Sequence, residues 1–291
     1  MYHPELVCHP ECNLAESPLW DPDTNTLYFV DIKDAMLYAQ RANGTLEQWS
    51  LSRQTGAIVL NRSGGLIAAQ QHRFVRIHLS PFREEEIAST CNEPGHNRFN
   101  DGKCDPQGRF WAATMDDNCK ISSGSIWSLD PQLKVRKHAS GYIVGNGFGW
   151  NLKGTRMYFT DSEEGKIYTW SFDSAYGELG ERTLFVSVAS DLGLPDGLCV
   201  DAEEHVWSAH WDGARITRYH PDGTVERTVS LPVPRPTSLA FGGNNFSTLF
   251  ITTARHQLSE EQLREAPLSG AILSINCEVP GLPSARFGHQ D

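Results

Sequence analysis

Asn146-Gly147-Phe148-Gly149-Trp150, followed after a turn by Met157-Tyr158-Phe159-Thr160, decides the fold because its pattern returns along the chain. A polar residue with a small or turn-forming neighbour opens one apolar strand, and a second apolar run follows. Glu16-Ser17-Pro18-Leu19-Trp20 leads to Leu27-Tyr28-Phe29-Val30, and Asn100-Asp101-Gly102-Lys103 leads to Phe110-Trp111-Ala112-Ala113. Asp196-Gly197-Leu198-Cys199-Val200 leads to Val206-Trp207-Ser208-Ala209. Quieter copies are Thr55-Gly56-Ala57-Ile58 with Leu66-Ile67-Ala68, and Pro236-Thr237-Ser238-Leu239 with Leu249-Phe250-Ile251-Thr252. Self-similarity at a period of roughly 40 to 50 residues is the mark of a repeat architecture.

Within each copy the chain alternates as strands separated by turn signals. In the first copy strands are expected over Leu27–Asp31, Ala35–Gln40 and Leu46–Leu51, and later over Gly124–Leu129, Lys166–Phe172 and Arg215–His220. Asp21-Pro22, Gly64-Gly65, Asp105-Pro106-Gln107-Gly108, Lys153-Gly154 and Pro221-Asp222-Gly223 mark turns. Helical periodicity is confined to 259–266, where Ser259 and Gln262 form a capping-box signature and Pro267 stops the helix. Four-stranded units at this period cannot bury both faces alone, and they fit the blades of a β-propeller. The expectation is an all-β, six-bladed β-propeller forming a single domain over 1–291, with a short helical insertion near 259–266.

The 291 residues carry 39% apolar and 21% charged side chains, enough to bury a core. The formal net charge is −11 and no Lys/Arg-rich run occurs, which argues against nucleic acid and anionic membrane surfaces as partners. No apolar run reaches the length of a membrane span, and Met1-Tyr2-His3-Pro4-Glu5 lacks the features of a secretory signal. Seven irregularly spaced cysteines read as reduced thiols, so a cytoplasmic location is expected. Cys8-His9-Pro10-Glu11-Cys12 has no second Cys/His pair at zinc spacing and reads as a terminal segment. Glu84-Glu85-Glu86 reads as a solvated loop or strand edge.

The phase of the repeat points to a site. The intervals Glu16 to Tyr28, Asn100 to Trp111, Asn146 to Tyr158 and Asp196 to Trp207 agree within one residue. Side chains at equivalent repeat positions come from corresponding ends of the innermost strands, and in a radial array those ends converge on the channel mouth. Any one Asn-Gly or Asp-Gly taken alone is an ordinary turn. The quieter copies carry Thr55-Gly56 and Pro236-Thr237 there, so the turn itself does not demand Asn or Asp. Glu, Asn, Asn and Asp supply hard oxygen donors of low total charge, suited to Ca²⁺, Mg²⁺ or Mn²⁺, with Fe²⁺ or Zn²⁺ also open.

At these residues the chain resembles the senescence-marker-protein/gluconolactonase/regucalcin family of six-bladed propeller lactonases. The stretches that carry the likeness are Ala15–Trp20, Asn97-Arg98-Phe99-Asn100-Asp101-Gly102-Lys103, Thr114-Met115, Asn146-Gly147 and Pro195-Asp196-Gly197. The resemblance implies one divalent metal ion, Ca²⁺ foremost, held by Glu16, Asn146 and Asp196. It also implies that Arg98 and Asn100 contact a sugar lactone. Ser17 stands where the family often has Gly. Asp116-Asp117-Asn118 occupies a region where some members carry a substrate-contacting Glu, and Asn118 is taken as the contact here.

The implied activity is metal-dependent hydrolysis of an aldono-lactone, such as gluconolactone or a pentonolactone, to the free sugar acid. Asp196 is the first candidate for general base and Asp101 the second. The alternatives are a calcium-binding or interaction propeller without catalysis, and a related arylesterase or organophosphatase-type propeller hydrolase. No Gly-x-Ser-x-Gly elbow supports a serine hydrolase. His210-Trp211 is left as a possible part of the pocket lining, the His being more simply structural.

Overall fold

The structure is a computed structural model that describes residues 2–289; Met1, Gln290 and Asp291, at the ends of the expected domain, lie outside the described residues. Six antiparallel four-stranded sheets are arranged as the blades of a β-propeller. The first five follow chain order, opening on inner strands Ala15–Asp21, Thr55–Leu60, Asn97–Cys104, Gly145–Trp150 and Leu194–Val200. The sixth combines Pro236–Gly242, Thr248–Thr253 and Ile272–Asn276 with an outer strand from the start of the chain, Glu5–Cys8. Glu5 pairs with Ser274 and Leu6 with Leu273. Cys8, the first residue of the segment read as terminal, thus ends the outer strand of the last blade, where it pairs with Ile272.

Apolar packing explains why the repeats stack. Each of six core clusters lies in the seam between neighbouring blades, as where Leu19 and Tyr28 of blade one meet Ile58 and Leu60 of blade two. Trp111 and Trp207 are fully buried in such seams, where they act as core and present no face to a sugar. Outer strands have far less to bury. Glu84 and Glu85 lie in the exposed outer strand Phe82–Ser89, a solvated edge.

In five of the blades the turn after the inner strand is held by one side chain. Asp21, Asn61, Asp105, Asn151 and Asp201 sit at this position in blades one to five, and each accepts backbone N–H groups two to five residues on. Asp105 also accepts Arg109 Nε at 2.7 Å and the Trp111 indole N–H at 3.0 Å. Asp201 takes the Trp207 indole N–H at 3.0 Å in the same way. Asp105→Ala would orphan four donors around a wholly buried position, and a loss of about 3 kcal/mol in urea-unfolding free energy is expected.

The helix Glu260–Glu265 lies between the second and third strands of blade six. Ser259 Oγ accepts the Gln262 N–H and Gln262 Oε1 accepts the Ser259 N–H, a complete capping box.

Candidate functional site

All six inner strands break register at the same phase. The breaks fall at Glu16/Leu19, Thr55/Ala57, Phe99/Asp101, Asn146/Phe148, Pro195/Leu198 and Pro236/Leu239. A β-bulge leaves residues without a cross-strand partner, bends the strand and re-aims the side chains beside it. Glu16, Asn100, Asn146 and Asp196 stand at or beside these bulges, which is the physical content of the shared repeat phase. Two of the bulges need unusual backbone. Gly147 has φ +47°, and a Cβ there would lie 2.3 Å from Thr160 Oγ1. Ser17, where Gly was expected from the resemblance, has φ +52°. Its hydroxyl accepts the Ile58 N–H at 2.9 Å, a bond between blades that offsets the conformational cost.

The four bulge residues line one cavity of about 650 Å³ at the mouth of the channel. Glu16, Asn146 and Asp196 are all buried there. Asn146 Nδ2 donates to Ser162 Oγ at 3.0 Å, which fixes the amide and turns Oδ1 to the other side. Asn146 Oδ1 and Asp196 Oδ1 are buried with no hydrogen-bond partner. A buried acceptor left unpaired costs ~1–3 kcal/mol, so two on one cavity lining, beside a third oxygen donor, call for a shared electropositive partner.

The electrostatics agree. Burial, then the charges of Asp196 and Asp101, raise the Glu16 carboxyl well above its ordinary range. Burial, then Asp101, do the same to Asp196, partly offset by the Gly197 N–H. Among the described residues no group of three or more His, Cys, Asp or Glu is placed to hold a metal. The donor set at this site is two carboxylates and an amide oxygen. That set fits a hard divalent cation with its remaining positions open to water or ligand. Ser162→Ala frees the Asn146 amide to rotate, and metal affinity measured by calorimetry is expected to fall about 10- to 100-fold, as for other outer-shell partners.

Arg98 is fixed from three sides. Its Nε donates to Asp117 Oδ1 at 2.5 Å, and its Nη1 donates to Asn100 Oδ1 at 2.9 Å and to the Phe99 carbonyl at 3.1 Å. Nη2 makes none of these bonds. Asn100 donates through Nδ2 to the Gly145 carbonyl at 3.1 Å, so its oxygen and one amide hydrogen are already engaged. Asn118 is exposed and lines the same cavity.

Asp101 is placed elsewhere. It does not line this cavity; its carboxylate accepts the Gly102 N–H at 2.6 Å and the Gly147 N–H at 2.9 Å. A side chain occupied in tying the bulges of blades three and four together is badly placed to take a proton from water in the cavity, so the second-choice base is set aside. His210 is also turned away, its Nδ1 on the Leu192 carbonyl at 3.1 Å, and burial pulls its imidazole down to about 4. Trp211 does line the cavity.

Several lining residues went unselected in the sequence: Lys33, Asp117, Ser162, Glu163 and His256. A second repeat phase marks most of them. Asp31, Asp116 and Asp161 each end the second strand of a blade, and the next one or two residues line the cavity. Asp31 and Asp116 hold these loops by accepting backbone N–H groups, Asn13 and Lys33 on the one, Lys120 and Ile121 on the other.

Comparison with known proteins bears on the family and the fold. Residues 14–255 match the model of the SMP-30/Gluconolactonase/LRE-like region. Regucalcin of Xenopus laevis is 32% identical over 291 residues, covering 97% of each chain. The structure of a calcium-binding protein, regucalcin, from Agrobacterium tumefaciens superposes with a TM-score of 0.94 at 24% identity, over 98% of this chain and 97% of that one. A gluconolactonase from Xanthomonas campestris superposes with a TM-score of 0.78 at 18% identity, over 96% and 90%. With a match that spans the five N-terminal blades and includes Glu16, Asn100, Asn146 and Asp196, the chain belongs to the SMP-30/gluconolactonase/LRE-like family.

Proposed function

We propose that this chain is a metal-dependent hydrolase that opens an aldono-lactone, such as gluconolactone or a pentonolactone, to the free sugar acid. The observation that carries the reading is the pair of buried, unpartnered oxygens, Asn146 Oδ1 and Asp196 Oδ1, on residues that line one cavity with Glu16. A divalent cation held by Glu16, Asn146 and Asp196, Ca²⁺ foremost, would supply a Lewis acid for the lactone carbonyl oxygen.

The chain's own groups do the rest. Arg98, braced by Asp117 and Asn100, has Nη2 available to donate to sugar oxygens by charge-assisted hydrogen bonds. Asn100 and Asn118 add neutral contacts. Asp196 accepts the proton of the attacking water, whose oxygen bonds to the carbonyl carbon. The ring C–O bond then breaks, and the proton passes to the ring oxygen, giving a carboxylic acid and a free hydroxyl. The free thiols support a reducing compartment such as the cytoplasm.

The test is hydrolysis of gluconolactone and a pentonolactone, above the spontaneous rate, by chelated protein and by protein reloaded with Ca²⁺, Mg²⁺, Mn²⁺, Zn²⁺ or Fe²⁺. Activity that disappears on chelation and returns with metal is expected. Tight calcium binding with no hydrolysis under any metal would instead favour a calcium-binding protein without chemistry, the reading that the name of the regucalcin relatives suggests. Turnover of aromatic esters alone would favour an arylesterase.

A further inference from the structure

The cavity wall carries a charge excess that opening a neutral lactone does not use. Lys33, in the loop after the second strand of blade one, places Nζ 2.7 Å from Asp117 Oδ1 in the corresponding loop of blade three. Arg98 Nε lies 2.5 Å from the same oxygen. One carboxylate therefore serves two full cations. The other charged wall residues are Lys120 and Glu163, so the wall holds three cations (Lys33, Arg98, Lys120) against two carboxylates (Asp117, Glu163). Glu16 and Asp196 are left out because a divalent cation would offset them. With a divalent cation offsetting Glu16 and Asp196, the wall would carry one net positive charge in a chain of formal charge −11.

Two further observations bear on it. The Lys33 side chain is only 17% exposed, and its Nζ is held at the cavity wall by the ion pair with Asp117. His256, which lines the cavity from blade six, has its imidazole held below the ordinary value by burial, then by Lys33, Arg235 and Arg98.

We propose that Lys33 determines specificity, and that the preferred lactone carries a second anionic group, a carboxylate at the end of the sugar remote from the ring carbonyl. An excess of one positive charge matches a carboxylate better than a doubly charged phosphate. The identity of the reaction rests on the lactonase reading, whereas the anion preference is a property of binding alone. A plainer role for Lys33 would be to brace Asp117 and thereby Arg98; loss of a brace would weaken every ligand alike.

Calorimetry on the intact, metal-loaded protein separates these possibilities, with gluconate and glucarate as open-chain probes and phosphogluconate as a third. Glucarate is expected to bind at least about tenfold more tightly than gluconate. Lys33→Gln should remove most of that preference, and Lys33→Arg should keep it. Equal weakening of gluconate and glucarate in Lys33→Gln would overturn the proposal, as would a wild-type protein that prefers neither acid or prefers phosphogluconate. Steady-state rates on the matching lactones run alongside. A Lys33-dependent glucarate preference with no turnover of any lactone would uphold this inference and sink the hydrolase reading. Turnover of gluconolactone without any such preference would do the reverse.

Discussion

Asp196→Ala and Glu16→Ala are each expected to lose metal binding and lactone turnover together, by more than the ~10- to 100-fold that loss of an outer-shell partner costs. The two carboxylates are the only full negative charges among the three residues assigned to the cation, and both are buried. Removing either leaves one carboxylate and an amide, too little charge to replace the hydration shell of a divalent cation. Asp196→Asn is the sharper variant because it keeps the volume and removes only the charge. Metal content after dialysis and kcat/KM on gluconolactone should fall in parallel. Asp101→Asn provides the contrast. Its carboxylate binds backbone N–H groups of Gly102 and Gly147 rather than the cavity, so a loss of stability is expected with metal still bound. Full activity in a Glu16 variant shown to be free of metal would dispose of the scheme.

The second large effect is expected in thermal unfolding. In the metal-free protein, burial raises the Glu16, Asp101 and Asp196 carboxyls, and for Glu16 and Asp196 neighbouring carboxylates add to the rise. A carboxyl whose folded pKa lies above its unfolded value binds more protons folded than unfolded across that interval. The stability it contributes is therefore lost as pH rises from the ordinary carboxyl range, about 4, through the raised value. A bound divalent cation favours the ionised form and removes this loss. The difference in Tm between metal-loaded and chelated protein should therefore be small near pH 5 and widen toward pH 8. At metal concentrations ~1,000 times Kd, ~4 kcal/mol and ~2 °C per kcal/mol give about 8 °C. Taking the difference at each pH cancels carboxylates elsewhere, such as Glu47 and Glu178, which their Arg partners hold below the ordinary range. A difference that is the same at every pH would mean that the cation does not sit on these carboxyls.

The repeat made much of the fold legible. Inner and second strands carry apolar runs because both faces are buried in seams, and Asp105 and Asp201 announce their turns by fixed spacing to Trp111 and Trp207. Outer strands were harder. Glu178–Ser187 is largely exposed and shows no burial period, and Glu5–Cys8 becomes a strand only by pairing with Ile272–Asn276 at the other end of the chain. The cavity lining divides in the same way. Glu16, Asn100, Asn146 and Asp196 were readable because a bulge recurs at one phase in every blade. Lys33 and Asp117 meet across 84 residues in two loops, and no local pattern records which loop residue will find which. Asn118 was chosen from the right loop, but its neighbour Asp117 is the one that holds Arg98.

Anomalous diffraction from crystals of the protein loaded with Mn²⁺ or Ca²⁺ tests the shared cation most directly. One strong site per chain is expected, with oxygens of Glu16, Asn146 and Asp196 at about 2.0–2.6 Å. An ion bound away from these three side chains, or none at saturating metal, would contradict it.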